Sequence, residues 1–322
     1  MVIALGLGGA FWQWTRQPMP LAAARVEFSV PAGASLRMAA AAAVEGGVRE
    51  PRLLLGAFFR LMARGHTIKP GDYAVTEGMT PGDLLGKLIR GDRIVLTVKF
   101  IEGWSFRQAR QALNDAQGLR HDTSKLDGAQ IMAALGRAGV APEGRFFPDT
   151  YHYFRNASDE DILRQSLHEM DQHLAAAWAA RAPDLPLKSP EEALTLASLV
   201  EKETGHAEDR AQIAGVFINR LRIDMPLQTD PSVIYGMGER FTGNLRRADL
   251  QADTPWNTYS RRGLPPTPIA LPGQASLLAA VQPAATRALY FVARGDGSSQ
   301  FSDTLEAHNR AVNQYQRGGQ GK

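Results

Sequence analysis

The 322-residue sequence contains no cysteine, which excludes a disulfide framework and a thiolate zinc site. That absence suits an oxidising compartment without requiring one. The sequence also lacks a basic block: 36 Lys and Arg against 33 Asp and Glu, a formal charge of +3, are spread along the chain. Proteins that track a phosphate backbone concentrate positive charge on one face or stripe, so nucleic acid is not expected as a partner. Three catalytic signatures are missing as well: the His-Glu-x-x-His zinc motif, the Gly-x-Ser-x-Gly nucleophile elbow and a phosphate-binding glycine loop. No metal and no cofactor are implied. No repeat or low-complexity stretch is present, and a composition of 44% hydrophobic and 21% charged residues is that of a globular chain with room for two domains.

Met1 to Trp14 (MVIALGLGGAFWQW) carries no charge before Arg16 and reads as a targeting or anchoring segment. Its 14 residues fall short of the roughly 20 that a helix needs to cross hydrocarbon. No basic residue precedes it and no Ala-x-Ala-like cleavage site follows it. The expectation is a retained membrane anchor over residues 1–24, ahead of a removed signal peptide or a buried N-terminal helix, with Trp12 and Trp14 suited to a membrane interface. Its shortness is compatible with a start upstream of Met1.

From Arg25 the pattern changes. Val26 to Val30 alternates and is followed by Pro31-Ala32-Gly33, a strand and turn that open a small α+β module. Leu53 to Ala63 has apolar residues at helical spacing, Ile68 to Tyr73 turns into a strand, and Thr80 with Pro81 is an N-cap and first helical residue. Ile94 to Ile101 is the strongest strand candidate and leads the chain out of the module. Residues 105–182 read as mainly helical, broken by the aromatic, Pro-containing segment Glu143 to Tyr151 (EGRFFPDTY), for which function and packing are equally open. Pro183 to Pro190 is a connector ending in a helix start, with Ser189 as N-cap and Glu192 placed to complete a capping box.

The helix opened by Ser189 is predicted to run to about Thr204 and to stop at Gly205. Leu196, Leu199 and Val200 define an apolar face, and Glu203 stands seven, four and three residues beyond them, on the extension of that face. Glu201 is rotated from Glu203 by about 200°, because each helical residue advances about 100°. Only one of the two can readily face a shared cleft. A carboxyl held against apolar side chains stays protonated to higher pH, as a general acid must. The ordinary finding for a Glu-x-Glu at a helix end is two solvated carboxylates; the apolar face favours Glu203 as the exception. The next helix, Glu208 to about Arg222, buries Ile213, Val216, Phe217 and Leu221 and brings Asn219, Arg220 and Arg222 to its end. Beyond it, Met225 to Gly236 and Thr254 to Tyr259 combine amides, hydroxyls and aromatic rings between prolines, a mixture suited to sugar recognition or to two packed polar turns.

Three strings, LASLVEKETG, AGVFINRLRIDMPLQTDPSVIYGMG and TPWNTYSRRGLPPTPIALPG, in this order and spacing closely resemble the MltG (YceG-like) family of endolytic murein transglycosylases. The resemblance extends through EGRFFPDTY before them and Leu289 to Ala293, Phe301-Ser302 and Glu306 to Asn309 after them, covering roughly Phe28 to Tyr315. It implies an α+β fold with an N-terminal membrane anchor, a small LysM-like α+β module over residues 25–97 and a larger mixed α+β catalytic domain over residues 98–318. It implies cleavage of the bond between N-acetylmuramic acid and N-acetylglucosamine without water, leaving 1,6-anhydromuramoyl ends. The family's acidic motif maps onto Glu201-Lys202-Glu203, with Glu203 as the acid/base and Glu201 as fallback. Gln228, Thr229, Asp230, Tyr235, Asn257, Thr258 and Tyr259 are expected to contact the glycan. Asp230 and Asp149 are the candidates for a second carboxylate, for which the resemblance implies structural or substrate-contact roles.

The implied setting is the inner membrane, spanned once, with the catalytic domain in the periplasm. The implied partners are peptidoglycan glycan strands and glycan-polymerising enzymes. Two positions depart from the family pattern: Trp256 stands where Tyr is usual, keeping a ring and removing a hydroxyl, and Ser299 stands where His is common. Two rival readings remain. A non-catalytic glycan-binding scaffold would tolerate loss of Glu203, and a lysozyme-type hydrolase would use a second carboxylate and leave reducing ends.

Overall fold

Strand β1 (Arg25–Val30) alternates exposed and buried residues, so Val26, Phe28 and Val30 point into one core. It pairs antiparallel with β2 (Gly71–Thr76), placing Phe28 opposite Tyr73, and the two rings stack 5.9 Å apart. Between these strands the chain forms α1 (Leu36–Glu45) and α2 (Arg52–Met62). Helix α1 is absent from the sequence reading because its alanine run offers no apolar contrast for periodicity to detect. The small residues Ala39, Ala40 and Ala43 are buried and let α2 approach closely at Gly56. Helix α3 (Pro81–Arg90) opens as the sequence predicts, with Thr80 and Asp83 forming a reciprocal capping box, and ends at Gly91, whose φ of +80° is left-handed.

The computed structural model describes residues 9, 11–63 and 65–317 and divides into two units. The first takes the chain to Thr97, with Gln117–Arg120 and His152–Ala157 added to it. Its core includes Met19, Leu55, Phe58, Phe59, Tyr73, Leu84 and Leu88. Trp14 meets Phe58 edge-on at 5.7 Å and donates its indole N–H to Glu50 at 2.9 Å, so this ring packs within the first unit. Trp12 is exposed. Residues 1–8 and 10 of the expected anchor lie outside the described residues. Among the described residues no helix is long and apolar enough to cross a membrane.

The second unit comprises Val98–Ala116, His121–Tyr151 and the chain from Ser158 onward. In order it forms α4 (Phe106–Asp115), α5 (Gly128–Ala134), α6 (Asp159–Ala179), α7 (Pro190–Glu203), α8 (Arg210–Arg222), α9 (Asp230–Met237), α10 (Arg247–Gln251), α11 (Gln274–Val281) and α12 (Leu305–Val312). Strand β5 (Tyr290–Ala293) pairs antiparallel with β6 (Ser299–Ser302). Two further short strands, β3 (Leu96–Lys99) and β4 (Thr150–Tyr153), pair with each other. Strand β3 is shorter than the predicted Ile94 to Ile101, and Ile101 is exposed.

Every residue of α7 from Ala193 to Val200 is buried, with α6, α8 and α11 packed around it. A helix enclosed on all sides has only its ends free for chemistry. The segment Glu143 to Tyr151 is a packing element. Phe146 stacks on Phe106 at 5.1 Å and Phe147 on His173 at 4.0 Å, while Gly144, at φ +76°, comes so close to Pro268 that a Cβ would lie 2.4 Å from its ring. Glycine is therefore the residue this turn requires.

Candidate active site

Helix α7 aims one carboxyl out of the core. Ser189 caps its start by accepting the Glu192 N–H at 3.3 Å, but the Glu192 carboxylate passes the cap and accepts the Lys188 N–H at 2.6 Å, so half of the predicted box forms. The helix ends at Glu203, and Thr204 is already extended at φ −146°, one residue earlier than the predicted stop at Gly205. Glu203 opens onto a cleft of about 420 Å³. Its Oε1 accepts a short hydrogen bond from the Thr229 hydroxyl. Burial raises its pKa from 4.5 to about 7; the Thr229 hydroxyl opposes this, the Asp230 charge adds to it and the Arg220 guanidinium opposes it. Near neutral pH about half of the Glu203 carboxyls hold a proton.

Glu201 points elsewhere, as the helical rotation predicts. Its Oε2 accepts the Gly273 N–H at 3.0 Å, and it does not line the cleft. Glu102 lies close by, with its pKa raised first by burial and then by the Glu201 charge. The two glutamates therefore have separate environments, and only Glu203 combines an enclosed carboxyl with an open cavity.

Of the residues expected to contact glycan, Gln228, Asp230 and Tyr259 line the cleft. Thr229, 1% exposed, stands behind Glu203 as its hydrogen-bond donor. Gln228 is left-handed at φ +48°, a conformation uncommon outside glycine and asparagine, and its N–H donates to the Thr258 carbonyl at 3.0 Å. The Tyr259 hydroxyl donates to Asp230 Oδ1 at 2.6 Å.

Tyr235, Asn257 and Thr258 do not line this cavity. Tyr235 donates to Glu143 Oε2 at 3.2 Å, and Glu143 Oε1 accepts the Phe106 N–H at 2.9 Å, fastening α9 to the start of α4. The Asn257 amide donates to the carbonyls of Asp249, Leu250 and Ala252 and accepts from the Tyr259 and Ser260 N–H groups. Thr258 accepts the Thr229 N–H at 3.0 Å. Their polar atoms fold the two loops onto each other. Asp149 also lies away from the cleft, its carboxylate bonded to the neighbouring Thr150 N–H. Trp256 packs edge-on against Tyr235 at 5.6 Å and donates its indole N–H to Thr267, so the change from Tyr is accommodated in packing. Ser299 begins β6, opposite Ala293.

Six cleft residues carry no role in the sequence reading: Arg220 on α8, Tyr290 and Phe291 on β5, and Leu305, His308 and Asn309 on α12. Arg220 is 6% exposed. Its Nε donates to the Leu289 carbonyl at 2.7 Å and its Nη1 to the Leu227 carbonyl at 2.8 Å and the Pro226 carbonyl at 3.3 Å. One rigid guanidinium thus ties the segment carrying Thr229 to the start of β5. A signal for it existed: Arg220 lies three and seven residues after Phe217 and Ile213, on their buried stripe, and a buried cation requires partners.

The sequence model of the YceG-like family matches residues 28–314. The chain belongs to the YceG-like family. All the cleft residues of this YceG-like chain fall inside the matched span. A Bacillus subtilis (strain 168) protein named endolytic murein transglycosylase is 40% identical over 174 residues, 54% of this chain and 48% of that protein. A protein of the same name from Streptococcus pneumoniae serotype 2 (strain D39 / NCTC 7466) is 27% identical over 325 aligned positions, 90% of this chain and 58% of that protein. The chain spans about half the length of these curated relatives. The crystal structure of a yceG-like protein from Listeria monocytogenes matches with a TM-score of 0.56 at 26% identity, covering 89% of this chain and 98% of that one.

Proposed function

We propose that this chain is an endolytic murein transglycosylase that cuts the β-1,4 bond between N-acetylmuramic acid and N-acetylglucosamine, with Glu203 as the single acid/base. The observation that carries the reading is the Glu203 carboxyl, enclosed at the end of α7, open to the cleft and protonated to about pH 7. Oε1 is occupied as an acceptor by Thr229, which leaves Oε2 to carry the proton. That proton passes to the glycosidic oxygen as the C1–O bond breaks; the carboxylate then takes the proton of the sugar's own C6 hydroxyl as its oxygen bonds C1. The sugar closes on itself to a 1,6-anhydro end, and Glu203 is protonated again for the next cut. Arg220 favours the anionic form that exists between the two transfers.

The names of the relatives support peptidoglycan as the substrate class. The β-α-α-β order of the first unit supports a LysM-like, glycan-binding role for it, and the apolar start of the sequence supports an inner-membrane anchor with the catalytic unit in the periplasm. Termination or trimming of nascent strands beside glycan-polymerising enzymes completes the reading. A hydrolase is the second reading, favoured by one observation: Asp230, a second carboxylate, lines the same cleft.

Mass spectrometry of peptidoglycan digested by the full chain separates the readings. Anhydromuramoyl products that vanish with Glu203→Gln and persist with Glu201→Gln are expected. Reducing ends would establish the hydrolase, the opposite variant pattern would move the acid to Glu201, and retained binding without any product would leave a scaffold.

A further inference from the structure

Helix α12 places Leu305, His308 and Asn309 on one face, because residues three and four apart are neighbours on a helix, and all three line the cleft that holds Glu203. The His308 ring lies on Tyr290 of β5, centroids 5.2 Å apart and planes 22° from parallel. Arg220 fixes this wall by holding the Leu289 carbonyl just before Tyr290. His308 is half-buried, and its Nδ1 is closed to solvent without a hydrogen-bond partner among the described residues. Burial, and after it the Arg220 charge, holds the His308 pKa below its usual value, so at neutral pH the ring offers one N–H and one lone pair. A buried ring nitrogen without a partner burdens the free protein and, being closed to solvent, is closed to a ligand as well, so the ring meets a sugar through Nε2, as donor or acceptor according to its tautomer. Flat ring faces beside unpaired polar groups suit a pyranose, which has an apolar face and a rim of hydroxyls.

We propose that Tyr290, His308 and Asn309 form a saccharide subsite in which a pyranose ring of the glycan lies on the stacked Tyr290–His308 wall and its polar substituents bond His308 and Asn309. The identity of the glycan rests on the proposed function, but occupancy of the subsite is measurable without the reaction. The full chain carrying Glu203→Gln is titrated calorimetrically with peptide-free strands of alternating N-acetylglucosamine and N-acetylmuramic acid. Adding His308→Phe keeps a ring on Tyr290 and removes both nitrogens. Affinity is expected to fall by about tenfold or more, roughly 1.4 kcal/mol, while the melting temperature holds or rises because the orphaned nitrogen is gone. Asn309→Ala, at an exposed position, should weaken binding by about threefold or more without a stability change.

Unchanged affinity in both variants overturns the subsite, as does a parent that binds no strands. A melting temperature that drops together with affinity in both variants assigns these residues a packing role and overturns it too. If anhydro ends form and His308→Phe binds normally, the subsite fails and the reaction stands. If no anhydro ends form and affinity falls as expected, the reaction fails and the subsite stands.

Discussion

At the scale of single residues, the enclosure of Glu203 sets when its carboxyl ionises and links that ionisation to stability. Its pKa is raised from 4.5 to about 7, so folding favours the neutral form. The associated stability is fully present below pH 4.5 and is lost as pH rises through 7. The loss approaches about 3 kcal/mol, less whatever solvent in the cleft screens. Glu203→Gln, which cannot ionise, should therefore melt above the parent at pH 8 and level with it at pH 4, in a thermal series against pH. The rate should fall above about pH 7 as the acid loses its proton. Thr229 favours the carboxylate, so Thr229→Val should move the falling limb of the kcat/KM profile to higher pH; an unmoved limb would show that the hydroxyl does not act on Glu203. Gln228 poses a separate question because its φ of +48° strains any residue with a side chain. Gln228→Gly should change stability by less than about 1 kcal/mol, strain relief offsetting lost backbone restriction, while raising KM if the amide touches glycan.

At the scale of elements, the loops around the cleft are ordered by amides and hydroxyls that sequence reading takes for sugar ligands. Asn257 shows why. Its three donor contacts and two acceptor contacts are all to backbone, so Asn257→Ala should destabilise the chain by about 3 kcal/mol through unsatisfied buried groups. Lost activity should then follow the melting curve and not appear as a KM change in folded protein. Helix α7 was legible because capping and apolar spacing are local and agree over its length. Helix α9 was not: Met225 to Gly236 reads as a polar turn between prolines, yet Pro231 occupies the first turn of an eight-residue helix, where its missing N–H costs nothing. Helix α12 shows a limit of a different kind. Its motif residues Glu306 to Asn309 were visible, but nothing local indicates that His308 reaches a cleft whose acid lies in α7.

At the scale of the whole molecule, the chain order does not match the spatial units. Gln117–Arg120 and His152–Ala157 belong with the first unit although the second flanks them in sequence. Within that first unit, Arg155 pairs with Asp72 at 3.0 Å and the Asn156 N–H donates to the Gly118 carbonyl at 2.6 Å. A fragment beginning at Val98 would leave Arg155 without Asp72 and both short segments without their core. It should melt below the full chain in calorimetry, whereas equal melting would mean that these segments contribute nothing. Met19, with 3% exposure, belongs to the first unit's core, so a trimmed chain starting at Arg25 should also lose stability, by about 1–3 kcal/mol for one buried apolar side chain.

The facing of Glu203 was legible in the sequence, because helical periodicity is a property of neighbouring residues: three apolar positions at fixed spacing assign the carboxyl to a face wherever the helix packs, whereas an acid/base role for it is implied by the family resemblance. The strand from Arg25, the cap at Thr80 and the opening of α7 at Ser189 are legible for the same reason. Tertiary structure decided what surrounds that carboxyl. Its hydrogen-bond donor Thr229 is 26 residues away, and the Tyr290–His308 wall belongs to elements that follow α8, α9 and α11 in the chain. Burial, which moves the Glu203 pKa, and the division of Asn257, Thr258 and Tyr259 between scaffold and cleft depend on which distant segments meet, and that meeting is set by how the whole core closes around α7.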